Sequence, residues 1–172
     1  MASEHLEATA LRLFGLRGVD GVSIAEIATA AGMSKANVMH HYGSKGALYG
    51  ACLQQVGHRI KAAAQAATND ATPDPVSAVG RELDRWAADY PDDVYLMAFG
   101  LLRLRDRPGP WLLDEAIASV MVALDVPHER GAELIFEQFG RLTYAAMLEP
   151  LQSHLDAAAR AHEMPATTSP DP

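Results

Sequence analysis

The 172-residue chain lacks most of what marks a secreted, membrane-spanning or catalytic protein. Its single cysteine, Cys52, excludes an intramolecular disulfide framework and a thiolate metal cluster, and reads as a small buried hydrophobe. No apolar run approaches the roughly 20 residues a membrane span needs. Met1-Ala2-Ser3-Glu4-His5 has neither the basic start nor the apolar stretch of a signal peptide, so a cytoplasmic protein is expected. No segment alternates with period two, which predicts an all-α fold. Catalytic signatures are missing as well: there is no Gly-rich phosphate loop, no G-x-S-x-G, no H-E-x-x-H and no Cys/His pair. Neither an enzyme nor a cofactor is expected.

What remains is ordinary globular composition, 49% hydrophobic and 21% charged. The net charge of −8 argues against a nucleic-acid partner if read as one number. Its distribution says otherwise. Residues 1–61 hold six basic side chains (Arg12, Arg17, Lys35, Lys45, Arg59, Lys61) against four acids, for a net +2. The remainder nets −10. All three lysines and four of the seven histidines lie in the first part. A mildly basic head on an acidic body fits a DNA-binding module attached to a domain that does not bind DNA.

Helical periodicity and punctuation predict about nine helices. Leu6, Ala10, Leu13, Phe14 and Arg17 form the stripe of a first helix, with Ser3 as its N-cap and Gly18 as its stop. Ser23-Ile24-Ala25-Glu26 is a capping box, so a second helix begins there and ends at Gly32. Ser34 caps a short third helix to Tyr42, and Ser44 caps a long fourth over 45–67. A loop covers 68–75. A fifth helix carries Val76, Val79, Leu83, Trp86 and Tyr90 to the stop at Pro91, and a sixth spans 92–105. Arg107-Pro108-Gly109-Pro110 breaks the chain. A seventh helix takes 111–124, an eighth 128–148, and Pro150 opens a ninth that fades near Glu163, before a disordered tail at 164–172.

The second and third helices carry the functional signal. Ala28, Gly32 and Val38 have the spacing of a helix-turn-helix: a small residue where helices cross, a residue tolerating positive φ in the turn, and an apolar anchor facing back. Any tight αα-turn could share that spacing, but the capping box and local charge add to it. With Val38 and Tyr42 turned inward, the outer face of the third helix is Lys35, Ala36, Asn37, Met39, His40 and His41, free of acids as a major-groove reader should be. His40 and His41 point about 100° apart on a helix and cannot share one metal ion, so no metal site is expected.

The run from Ala10-Leu11-Arg12-Leu13-Phe14 through Val22-Ser23-Ile24-Ala25-Glu26-Ile27-Ala28, Ala31-Gly32-Met33-Ser34-Lys35 and His40-His41-Tyr42-Gly43-Ser44-Lys45 resembles the TetR family of bacterial transcriptional regulators over about residues 4–55. The resemblance implies an all-α homodimer whose first three helices bind double-stranded DNA and whose last two pair with a partner's. It implies that Ser23 and Lys45 hold phosphates, that Lys35, Asn37 and His40 face base edges, and that His41 meets a phosphate. Ser34 and Ala36 complete the expected DNA-binding set. Met39 stands where the family has Tyr, Gly43 where it has Pro, and Gly46 where it has an acid; the two glycines are expected to loosen the start of the fourth helix.

In that reading residues 1–45 are the DNA-binding domain and 46–163 a ligand-binding and dimerisation domain. Trp86, Tyr90, Met97, Phe99, Trp111, Met121, Phe136 and Phe139 are candidates to line a cavity for a small, mainly apolar effector, although core packing explains each of them too. Small and apolar residues late in the chain (Gly140, Ala145, Leu148, Leu151, Leu155, Ala158) are the candidate dimer interface. The expected function is a ligand-responsive repressor. The rival is a helical small-molecule sensor whose head contacts a protein instead of DNA.

Overall fold

The computed structural model describes residues 2–67, 74–102, 117, 118, 120–122 and 124–163, and their side chains except at 2, 99–102, 147 and 149–163. The fold is all-α, with no strand among the described residues. The helices are α1 (Ala2–Arg17), α2 (Ile24–Ala30), α3 (Lys35–Tyr42), α4 (Lys45–Ala66), α5 (Pro75–Asp89), α6 (Pro91–Leu102) and α7 (His128–Glu163). The described residues between 117 and 124 are helical as well. No helix among the described residues is long and apolar enough to cross a membrane.

The three-helix head closes on a core of Leu6, Ala10 and Phe14 from α1, Ile27 and Ala28 from α2, and Val38 from α3. Leu48 and Cys52 of α4 are buried with them, and the Phe14 and Tyr49 rings meet edge-on, 5.3 Å between centroids. Burial pushes the Cys52 thiol up to about 12. The cysteine is therefore the inert hydrophobe its isolation in the sequence implies.

The head is also docked onto the rest of the chain. α1 makes its most extensive contacts with α6, because Gly15 leaves room for it. A Cβ at Gly15 would lie 3.1 Å from the Asp92 carbonyl and 3.2 Å from Tyr95 Cβ, closer than side chains ordinarily pack.

Two local expectations are corrected. Ser3 is not the N-cap of α1: the helix starts at Ala2, and the Ser3 hydroxyl is bonded within the fold. The expected eighth and ninth helices are one continuous helix that runs through Pro150. A proline in a helix deprives the carbonyl four residues back of its donor. Here that carbonyl belongs to Ala146, and the Tyr95 hydroxyl of α6 donates to it at 3.1 Å. A tertiary hydrogen bond thus replaces the missing helical one. Of the expected loop over 68–75, Asp74 is the N-cap of α5 and Pro75 its first residue, while 68–73 lie outside the described residues, as do the break at Arg107-Pro108-Gly109-Pro110, Trp111 and the tail at 164–172.

Candidate nucleic-acid interface

α2, α3 and α4 each start on a serine whose side chain takes an otherwise unpaired backbone N–H. At α2 the capping box is complete: Glu26 N donates to Ser23 Oγ at 3.2 Å, and Ser23 N donates to Glu26 Oε2 at 2.8 Å. Arg17 joins the other carboxylate oxygen at 3.1 Å. Hydrogen bonds from the Ser23 side chain and backbone, then from Arg17, hold the Glu26 carboxyl below its usual range. At α3, Asn37 N donates to Ser34 Oγ at 3.1 Å; at α4, Ala47 N donates to Ser44 Oγ at 3.0 Å.

The turn between α2 and α3 is a Schellman motif. Gly32 N donates to Thr29 O at 3.1 Å and Met33 N to Ala28 O at 2.8 Å. Gly32 adopts φ +66°, and Gly43, after α3, adopts φ +72°. Proline is locked near φ −65° and could not take that second conformation. The glycine at 43, read from sequence as a loosening of α4, is what this backbone path requires.

Between these turns α3 exposes Lys35, Ala36, Asn37, Met39, His40 and His41, with Val38 fully buried and Tyr42 half-buried. The helix contains no acid. The His40 and His41 rings meet edge-on at 5.8 Å. Ser23 and Ser34 are exposed at their helix starts. Lys45 is half-buried, and its Nζ donates to Val22 O at 3.0 Å, tying α4 to the chain just before α2. Two of its three donor hydrogens are left for another acceptor. The exposed helix starts and the outer side of α3 therefore offer hydroxyls, imidazoles and an amide, a chemistry suited to phosphates and base edges.

The described members of the expected effector set differ in their surroundings. Trp86 and Phe139 pack edge-on in the core, 5.8 Å apart, and Met97 is buried near them. Tyr90 and Phe136 are exposed. Met121 is half-buried against α7, where Gly131 admits it: a Cβ there would sit 2.9 Å from Met121 Cγ. Trp111 and the Phe99 side chain lie outside the described residues. A groove of about 210 Å³ opens elsewhere, between α5 (Val76, Val79, Gly80, Leu83), Leu124 and α7 (Leu134, Gln138). Of the expected dimer residues, Gly140 and Ala145 are exposed and Leu148 is half-buried. The side chains of Leu151, Leu155 and Ala158 lie outside the described residues. Phe136 and Tyr144 flank Gly140 at four-residue spacing, both exposed.

Sequence reasoning missed a polar joint inside the second part of the chain. Asp93 of α6 is 1% exposed; Arg59 of α4 donates through Nη1 to both its oxygens, at 2.8 and 3.1 Å, and Trp86 Nε1 of α5 donates at 3.2 Å. The Arg59 guanidinium also lies 4.1 Å over the Tyr90 ring. Burial raises the Asp93 carboxyl above its usual range, outweighing the Arg59 and Trp86 hydrogen bonds. No local spacing announces a pair 34 residues apart.

Residues 6–52 match the sequence model of the bacterial regulatory proteins of the tetR family. The HTH-type transcriptional regulatory protein RaaS of Mycobacterium tuberculosis is 36% identical over 86 residues, which are 50% of this chain and 40% of RaaS. The chain thus spans well under half the length of that relative. The TetR family transcriptional regulator PfmR of Thermus thermophilus has the same fold at a TM-score of 0.61 and 17% identity, over 83% of this chain and 92% of PfmR. A tetR family transcription regulator of Shewanella sp. PV-4 gives 0.61 at 21% identity, over 95% and 92% of the two chains. The match on the head, the regulator relative and the shared fold agree with the capped helix-turn-helix geometry: residues 6–52 are similar to the bacterial regulatory proteins of the tetR family, and the fold is the one such regulators share.

Proposed function

We propose that the chain is a ligand-responsive transcriptional repressor that binds a pseudo-palindromic operator as a homodimer and is released by a small, mainly apolar effector. The observation that carries this reading is α3: an exposed, acid-free helix capped at Ser34 and anchored through Val38. Lys35, Asn37 and His40 read base edges, Asn37 suiting adenine N6 and N7. Ser23, His41 and Lys45 hold phosphates, and Ser34 and Ala36 lie on the same side. Residues 1–45 form the reading head and 46–163 the effector and dimerisation domain, in a cytoplasmic protein without catalytic activity.

The dimer contact is made by α7, whose face bearing Phe136, Gly140 and Tyr144 is exposed, together with the candidates Ala145, Leu148, Leu151, Leu155 and Ala158. A dimer places two α3 helices in successive major grooves. Effector binding favours a conformer with the heads wrongly spaced, and linkage requires that DNA weaken effector binding by the same factor. The Arg59–Asp93 joint and the contact of Gly15 with α6 support a path for that change through α4 and α6.

The test is fluorescence anisotropy on the DNA upstream of the chain's own gene and on sequences selected from a random library, at several salt concentrations. Selective binding that weakens steeply with salt supports the reading. A flat salt response with no sequence selected overturns it in favour of a head that contacts protein.

A further inference from the structure

The reading helix is tied to α1 by side chains alone at its far end. Tyr42, the last residue of α3, donates its hydroxyl proton to Glu7 Oε1 at 2.5 Å. Ser3 Oγ lies 2.9 Å from the same hydroxyl and 3.3 Å from Glu7 Oε1, so the serine proton closes a three-member network. The main-chain carbonyl of Glu7 is held as well, by Cys52 Sγ of α4 at 3.6 Å. Burial, followed by the bond to Glu7, pushes the Tyr42 hydroxyl above its usual range, which keeps it a donor at any neutral pH.

Nothing in the folding of α3 itself requires this network. The helix already has its Ser34 cap, its Val38 anchor and the Gly43 N–H on Met39 O at 2.8 Å. A phenylalanine ring at position 42 would pack as the tyrosine ring does. What the hydroxyl adds is a fixed position for one end of the helix. Tyr42 lies seven residues beyond Lys35, about 10 Å along the axis. If the Ser34 end is the pivot, a shift of about 1 Å at Tyr42 tilts α3 by roughly 6°. Hydrogen bonds to base edges are directional and weaken quickly with misalignment. Contacts from the starts of α2 and α4 to phosphates lie on other helices and do not follow that tilt; of the proposed phosphate contacts only that of His41 lies on α3.

We propose that Ser3, Glu7 and Tyr42 form a positioning clamp that sets the angle of α3 and thereby the sequence selectivity of DNA binding. The proposal rests on the DNA-reading function assigned to α3. It is distinct from any contact residue, since none of the three needs to touch DNA.

The experiment compares wild type, Tyr42→Phe, Glu7→Ala and Glu7→Gln in the full chain. Each is measured by anisotropy on an operator selected with the wild type and on random DNA, with the salt slope and a thermal melt beside them. Tyr42→Phe and Glu7→Ala are expected to lower the operator-to-random preference by about three- to tenfold, while random-DNA affinity, which shares only His41 with the tilting helix, falls by less than about twofold and the salt slope holds. Glu7→Gln keeps an oxygen for the Tyr42 proton and is expected to retain most of the preference. Unchanged selectivity in Tyr42→Phe overturns the clamp. So does a parallel loss on both DNAs, which marks a purely structural role. A wild type that selects no sequence overturns the DNA reading itself, and the clamp with it, before any variant is made.

Discussion

Removing the Asp93 carboxylate tests whether the joint between α4, α5 and α6 is held by charge or by hydrogen-bond geometry. In Asp93→Ala the Trp86 N–H, on a side chain only 4% exposed, loses its acceptor. An unpaired buried donor costs about 1–3 kcal/mol. Arg59 loses both its bonds to the carboxylate, but at 27% exposed it can turn partly to water while staying on Tyr90. Breaking a fully buried ion pair costs about 3–5 kcal/mol; this half-wet pair falls below that range, at about 1–2 kcal/mol, and with the Trp86 donor the total is about 3 kcal/mol. Asp93→Asn behaves differently. The amide oxygen keeps one acceptor for Trp86 or Arg59, and the buried charge, whose desolvation outweighs its attraction to Arg59, is gone. Its expected cost is about 1 kcal/mol or less.

The pH dependence has a definite sign. A carboxyl whose folded pKa is raised binds its proton more readily in the native state, so its contribution to stability falls as pH rises from the unfolded value through the folded one. Wild type should therefore lose ground to Asp93→Asn between acid and neutral pH and run parallel above it. Urea unfolding at fixed chain concentration, at about pH 4 and about pH 7, reads all three proteins. If Asp93→Asn at neutral pH is as destabilised as Asp93→Ala, the charge itself holds the joint and the reasoning fails.

Other consequences can be checked with the same preparations. Asn37→Ala should cost about 1–3 kcal/mol on the selected operator and relax preference at one base position, while Lys45→Ala should weaken operator and random DNA together and lower the salt slope by about 1. Equal loss on both DNAs for Asn37→Ala would show that α3 is oriented otherwise. Gly15→Leu, which drives a side chain into Asp92 O and Tyr95, should destabilise the fold by about 1–3 kcal/mol in urea; a neutral result would mean that α1 can lift from α6 freely. Cys52, buried and with its thiol pushed up to about 12, should resist alkylation at mildly alkaline pH in the native chain and react promptly in urea, as read by intact mass.

The head was legible because its determinants are local. Ser23 with Glu26, Ser34, Gly32 and Ser44 each act within a few residues of themselves, and each does in the structure what its spacing announces. Exposure on α3 followed from Val38, since one anchored position on a short helix fixes which way the others point. Pairing across the fold left no such trace. Gly15 carries no local signal of its role, which shows only when Asp92 and Tyr95 are seen against it. Pro150 reads as a break, because the rule considers only the donor that the proline lacks and not a hydroxyl arriving from α6. The aromatic set failed to resolve for a related reason. Hydrophobicity makes Trp86, Phe139, Tyr90 and Phe136 alike, yet two are in the core and two face outward. Their fate depends on which helix lies opposite.

Those same distant pairings converge on α6. Its start carries the carbonyl that Gly15 approaches, Asp93 holds Arg59 and Trp86, and Tyr95 lies between Gly15 of α1 and Ala146 of α7. A shift of α6 cannot leave all of these contacts intact, since packed cores repack in steps instead of stretching. The head is reached from α6 twice, directly through Gly15 and indirectly through Arg59 on α4. The path proposed for the effector's signal therefore runs through α6 as well as α4. α1 and α4 are themselves packed together through Phe14, Tyr49 and Cys52, and α3 joins the same body through Val38 and Tyr42, so a shift of α6 bears on the whole head.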